Sequence, residues 1–403
     1  MTRREWLALA GSAGVWGQAP DSPSGAQRRI ADVIHAYEEQ GIHRTGTAVD
    51  NASGEWLMQQ VRAAGLEPAR ETFPLSRIDP IAASVTIGDR KVEGLPLFDG
   101  GFTSPQGIRG RIGPVGSAAE IGVAEAAPNT AGSGVLGDAR RQNRHRAIVV
   151  VTRGGRPGLC PSNAENFLHP SGPPVVQVSS EEKTWLDEAA RSGSEAVVVA
   201  QVKRTQADAF NVTAEIAGAD KSRAPLVIMT PRSGWWTCAS ERGGGIAIWL
   251  ELMRSLRDAK PAREVRFVAS SGHELGQLGI EIHAERRPEL IKQARAWIHF
   301  GANIGAAQEP GNTIQASDDQ METLLANAIL ARGMKIDRRV PRGTVPGGEA
   351  GVVHRGGGKY MSLIGRNALF HNPADRGPGA VDVNVIANFA VVFTEIARDL
   401  AAT

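Results

Sequence analysis

The chain has 403 residues, of which 41% are apolar, and a formal net charge of +2. That length leaves room for two domains of roughly 150 residues each, and the apolar share can supply a sizeable core. The near-neutral balance, with no Lys/Arg cluster, excludes the electrostatic footprint of a nucleic-acid binder. No apolar run approaches the ~20 residues that a membrane-spanning helix needs.

The chain starts TRREWLALAGSAGVWGQAP after Met1. Arg3 and Arg4 precede a Trp-Leu pair, a short apolar stretch and small residues. This order resembles a twin-arginine export signal over residues 1–19, with Trp6 where the pattern more often has Phe. It sets the expectation of a periplasmic or secreted protein; the bland alternative is an ordinary basic N-terminus. Cys160 and Cys238 are the two cysteines. They could pair in an oxidising compartment, and they are too few for a cysteine zinc site.

Next, IADVIHAYEEQG and ASGEWLMQQVRAAG carry apolar residues at helical spacing and each ends at Gly, with Ser53 a plausible N-cap for the second. From about Pro80 short β-type runs (AASVTIG, AIVVVTRG, PPVVQVS, EAVVVAQV) alternate with Gly/Pro/Asn/Ser loops, and one helix, EEKTWLDEAARSG, comes late. From Asn211 strands and helices alternate. APLVIMT, AREVRFVAS and RAWIHFGANIG read as strands, and GGIAIWLELMRSLRD, RPELIKQA, METLLANAILARG and VIANFAVVFTEIARDLA as helices. This alternation predicts an α/β fold with a mixed, mainly parallel central sheet flanked by helices. In such sheets functional loops gather at the carboxyl ends of the strands.

Several candidate residues fall at those ends. FVASSGHELGQLG places His273 and Glu274 after a strand, ERGGGIAIWLEL places Glu241 at a helix start, and ALFHNPADRGP places His371 in a loop before the last helix. Each has an ordinary alternative. A carboxylate at a strand end is usually solvated or paired, an acid at a helix start suits the helix dipole, and a His in an Asn-Pro loop is often a surface residue. HELGQLGIEIH lacks the HExxH zincin spacing, GGRPG and ERGGG lack nucleotide-binding spacing, and there is no GxSxG elbow.

The order NVTAEIAG–APLVIMT, ERGGGIAIWLELMRSL, REVRFVASSGHELGQLG, AWIHFGANIG and FHNPADR resembles the zinc aminopeptidases of metallopeptidase family 28, whose relatives include glutaminyl cyclase. The resemblance implies one metal held at the positions of Glu241, Glu274 and His371. The other ligand positions of a second metal fall on Pro231 and Gly301, which offer no ligand side chain, and the general-base position holds His273. Two carboxylates and one imidazole with an open fourth position suit a catalytic zinc. His273 could then take a proton from bound water, and Asp375 could orient the His371 ring. His299 and Asn303, Glu349 and His354 in GTVPGGEAGVVH, and Trp235 and Trp236 are further pocket candidates; packing or surface roles are the plain alternative for each.

The resemblance also implies a protease-associated-like β insert. The expected organisation is an export signal over 1–19, the start of the peptidase-like domain over 20–78, the insert over 79–206 and the main α/β domain over 207–403. Two functional readings stand. One is an exported hydrolase with a single zinc that cuts peptide or small amide-like substrates. The other is a catalytically inactive homologue that binds peptides or envelope partners through the same cleft.

Overall fold

The computed structural model describes residues 24–403, so the export-signal expectation lies outside the described residues. A 14-stranded sheet runs through the chain. At its centre Tyr360–Arg366, Ala296–Phe300, Leu226–Pro231 and Val265–Ser270 are parallel neighbours. Gly311–Ala316 adds to one side antiparallel, and Glu195–Ile216 to the other. The mixed, mainly parallel centre agrees with the sequence. Its strands are buried on nearly every position of both faces, in keeping with their mainly apolar sequences LVIMTP and VRFVAS.

The helix Ala239–Ala259 packs against this centre and is buried on nearly every side, enclosed by Gly25–Glu38, Val383–Ala402 and the sheet. Its glycine run makes that approach possible. A Cβ at Gly244 would lie 2.1 Å from the Ile304 carbonyl oxygen. The helix Ala48–Ala63 starts earlier than the sequence suggests. Thr47 is its N-cap and accepts from the Asp50 N–H, while Ser53 sits buried inside it.

Two long strands, Pro68–Ile87 and Glu195–Ile216, pair antiparallel along almost their whole length. They carry the chain from the main core to a second one built from Ile108–Pro114, Ile121–Ala126, Ala147–Thr152 and Val175–Val178, with Lys183–Ser192 packed alongside. Asp79 pairs with Lys203 in mid-ribbon. The expected divisions at 78/79 and 206/207 therefore fall inside continuous strands. The ribbon ties the two cores together.

Candidate functional site

The carboxyl ends of Leu226–Pro231 and Val265–Ser270 open onto a dense buried polar centre. Ser233 is its pivot. Its Oγ donates to Glu274 Oε2 at 2.8 Å and accepts from the Gly272 N–H at 2.8 Å and the His273 N–H at 3.2 Å. The other Glu274 oxygen accepts from the Thr45 N–H at 2.6 Å. Both oxygens of this fully buried carboxylate are thus already engaged. Beside it Arg232, also buried, pairs with Asp50 at 2.8 Å and donates to the Phe210 carbonyl at 2.6 Å.

Glu241 begins the central helix, and its neighbour Arg242 folds back onto it. Arg242 Nη2 lies 2.7 Å from Glu241 Oε1, and Arg242 Nε donates to the Ser233 carbonyl at 2.6 Å. His371 Nε2 approaches the same Oε1 at 3.4 Å, while its Nδ1 donates to the Pro161 carbonyl at 2.6 Å. Burial alone would raise the Glu241 pKa, but the charges of Arg242 and His371 outweigh it and hold the carboxyl well below its usual range. Cys238 Sγ sits 3.5 Å from Glu241 Oε2, and burial with that negative neighbour pushes the thiol up, so it stays protonated. Strained backbone gathers here: Cys238, Gln277, Asn303 and His371 all have positive φ without being glycine.

Asp375 does not orient His371. Its oxygens accept from the Ser240 N–H and Oγ and from the Glu241 N–H, capping the central helix. Burial outweighs those bonds and raises its pKa to about 6. Trp235 is a core residue whose Nε1 donates to Asn163 Oδ1, and Trp236 donates to the His371 carbonyl. Neither lines the cleft. The His354 ring meets Tyr360 Oη at 3.3 Å. Pro231 ends its strand fully inside. A Cβ at Gly301 would meet Ile364 Cγ1 at 2.6 Å, so packing leaves little room for a side chain at that position. Cys160 and Cys238 are both free and buried, so the pairing considered from sequence is not formed.

The metal set expected from the sequence does not assemble. Only Glu241 and His371 face one point, and the third group there is a guanidinium. Among the described residues no group of three or more His, Cys, Asp or Glu is arranged to hold a metal ion. A catalytic zinc needs three protein ligands and has no use for a cation 2.7 Å from one of them. The residues present do not fit a resident metal.

A different arrangement faces the adjacent cleft of about 810 Å³. His273 lines it, and its Nδ1 bonds Glu349 Oε1 at 2.8 Å. Glu349 is fully buried, and its Oε2 takes His299 Nε2 at 3.1 Å; His299 Nδ1 meets Ser362 Oγ at 2.8 Å. Burial would raise the Glu349 pKa, but the charges and hydrogen bonds of the two imidazoles outweigh it and hold the carboxyl well below normal. Asn163, Asn303, Gln277, Arg366 and Phe370 line the same space. Sequence reasoning named His273, His299 and Glu349 separately and missed that they form one chain. His273 and Glu349 are 76 residues apart, and only the fold joins them.

Solved structures close this description. The chain superposes on a zinc aminopeptidase from Bacillus subtilis with TM-score 0.75 at 16% identity, covering 94% of this chain and 95% of that one. The chain has the zinc-aminopeptidase fold. An aminopeptidase from Aneurinibacillus sp. strain AM-1 gives TM-score 0.71 at 16% identity over 93% and 94% of the two chains. A peptidase M28 precursor from Shewanella amazonensis SB2B gives 0.72 at 16% over 94% and 95%. No protein-family model and no curated protein matches the sequence. Among the described residues no helix is long and apolar enough to cross a membrane.

Proposed function

We propose that this chain is a hydrolase of peptide or amide bonds that works from the cleft beside His273. The observation that carries the reading is the His273–Glu349 pair, at 2.8 Å, with the imidazole at the cleft wall and the carboxylate sealed behind it. The fold shared with aminopeptidases supports a peptide-like substrate.

Glu349 accepts a hydrogen bond from the Nδ1–H of His273, which leaves Nε2 as an acceptor toward the cleft. A water placed there attacks the substrate carbonyl carbon as its proton passes to Nε2. Collapse of the tetrahedral intermediate breaks the C–N bond, and the same proton goes to the leaving amine. Glu349 stays ionised and stabilises the imidazolium between the two transfers, as buried carboxylates do in His-dependent hydrolases. Asn163 and Asn303 present side-chain amides to the same cleft; their N–H groups suit the developing oxyanion. No step passes through zinc. The single-zinc reading draws support from the neighbours' names, but Glu274 and Arg242 stand against its ligand set.

The twin-arginine-like start of the sequence supports export, and the β-rich second core is in keeping with a protease-associated-like module. The alternative reading is peptide binding without turnover through the same cleft, and the fold shared with aminopeptidases does not favour it. Incubating the full chain with a mixed peptide library and following products by mass spectrometry separates the two. Cleavage that disappears in His273→Ala supports hydrolysis. Peptides retained intact by the wild type would leave binding as the function.

A further inference from the structure

The buried centre contains an unusual triad of atoms. Glu241 Oε1, Arg242 Nη2 and His371 Nε2 are all sealed from solvent, and none has a well-aligned hydrogen bond. They nevertheless converge, with the guanidinium 2.7 Å and the imidazole 3.4 Å from the one carboxylate oxygen. Buried charge is tolerated only when it is paired, so the position requires a cation. The chain supplies it from the next residue, near the start of a helix whose later buried positions, from Gly243 on, are apolar or glycine. Arg242 is pinned from behind by its Nε bond to the Ser233 carbonyl, so it cannot swing away.

We propose that the Arg242 guanidinium is the fixed cation of this centre and that it excludes divalent metal from a latent site formed by Glu241 and His371. Two features make the site latent rather than absent. The Nδ1 proton of His371 is committed to the Pro161 carbonyl, which aims Nε2, the nitrogen with no partner, at Glu241. Glu241 Oε1 likewise has no hydrogen-bond partner and faces that nitrogen at 3.4 Å. What blocks a metal is the positive charge and volume of one side chain. Nearby, Arg232 plays the same charge-balancing role for Asp50. Neither guanidinium lines the cleft, so this inference is independent of whether the His273–Glu349 pair hydrolyses anything.

The test uses the full chain purified without a metal-affinity column and reads metal content and melting temperature. Wild type incubated with zinc and desalted should carry essentially none, and neither zinc nor EDTA should shift its melting temperature. Arg242→Ala strands Glu241 as a lone buried anion, so its melting temperature should drop by on the order of 5–10 °C. Added zinc in excess should restore part of that loss and titrate to one reversible site per chain, with water completing the coordination of the two protein ligands. The rescue should vanish in the double variant Arg242→Ala with His371→Ala. Arg242→Lys, which keeps the charge, should stay zinc-free. Removing both charges, in Glu241→Ala with Arg242→Ala, should be milder than removing either alone. A wild-type chain that takes up one zinc through Glu241 and His371 overturns the proposal. So does an Arg242→Ala chain that binds no zinc, or that fails to refold with zinc present.

Discussion

Replacing Glu349 by Gln keeps the size of the side chain and removes its charge. In the native chain both oxygens accept, Oε1 from His273 and Oε2 from His299. A Gln can accept through only one atom, and its amide N–H groups would face the other ring's N–H. A hydrogen bond to a charged group contributes about 1.5–3 kcal/mol, and a neutral one about 1 kcal/mol. Exchanging two of the first for one of the second costs about 2–5 kcal/mol. At roughly 2 °C per kcal/mol for a chain of this size, the melting temperature should fall by about 4–10 °C. Calorimetry on the purified variant reads this directly. The same substitution unlocks the His273 tautomer, so turnover should fall by roughly 10²–10⁴-fold, the range for losing general acid–base assistance. A melting temperature unchanged within about 1 °C, together with unchanged turnover, would refute the view that Glu349 is the charged centre of a His–Glu–His chain.

Two further outcomes concern stability. Asp50→Ala leaves Arg232 as a buried cation with carbonyl partners only, at the Asp50 and Phe210 positions. It should destabilise the chain by about 3–5 kcal/mol in urea unfolding; a change below ~1 kcal/mol would mean the pair is not structural. Acid should weaken the fold through His43 and Glu71. Burial lowers the His43 pKa to about 3, so the native state binds fewer protons than the unfolded one below pH 6.5. Its contribution is lost as pH falls from 6.5 towards 3, by about 2 kcal/mol at pH 5. Burial would raise Glu71, but His283, Asn211 and Arg287 outweigh it and hold it at about 2, so its share is lost between 4.5 and 2. Asp375, raised to about 6, works the other way. Its share is present in full below 3.8 and lost as pH rises through 6, which offsets His43 between pH 7 and 5. Denaturation at pH 7, 5 and 4 should therefore show a shallow decline followed by a steep one below about 4.5. Constant stability down to pH 3 would contradict these assignments.

Three central strands, Leu226–Pro231, Val265–Ser270 and Ala296–Phe300, were legible because they are mainly apolar runs that alternate with helices. Gly311–Ala316 and Tyr360–Arg366 escaped notice. The first, GNTIQA, is half polar, and the second is embedded among glycines, so neither shows a clean period. Of Pro68–Ile87 only the AASVTIG end read as a strand, because Pro74 and Pro80 interrupt the run. In the ribbon those prolines are accommodated, with a register shift beginning at Pro80. Glu241 falls in the first turn of its helix, Glu274 just after its strand and His371 in the loop before the last helix, yet what each one pairs with is tertiary information. One signal was available. Arg242 lies in the first turn of a helix whose buried positions from Gly243 on are apolar or glycine, and an arginine at such a place must find a buried acid. Its neighbour Glu241 was the acid at hand, which left that carboxylate committed before any metal could claim it.

The most direct test of the account is hydrolysis of peptide amides by the wild-type chain after exhaustive dialysis against EDTA, alongside His273→Ala. The account predicts turnover that survives the chelator unchanged and disappears in the variant. Activity abolished by EDTA and restored by zinc, or activity that persists without His273, would contradict it.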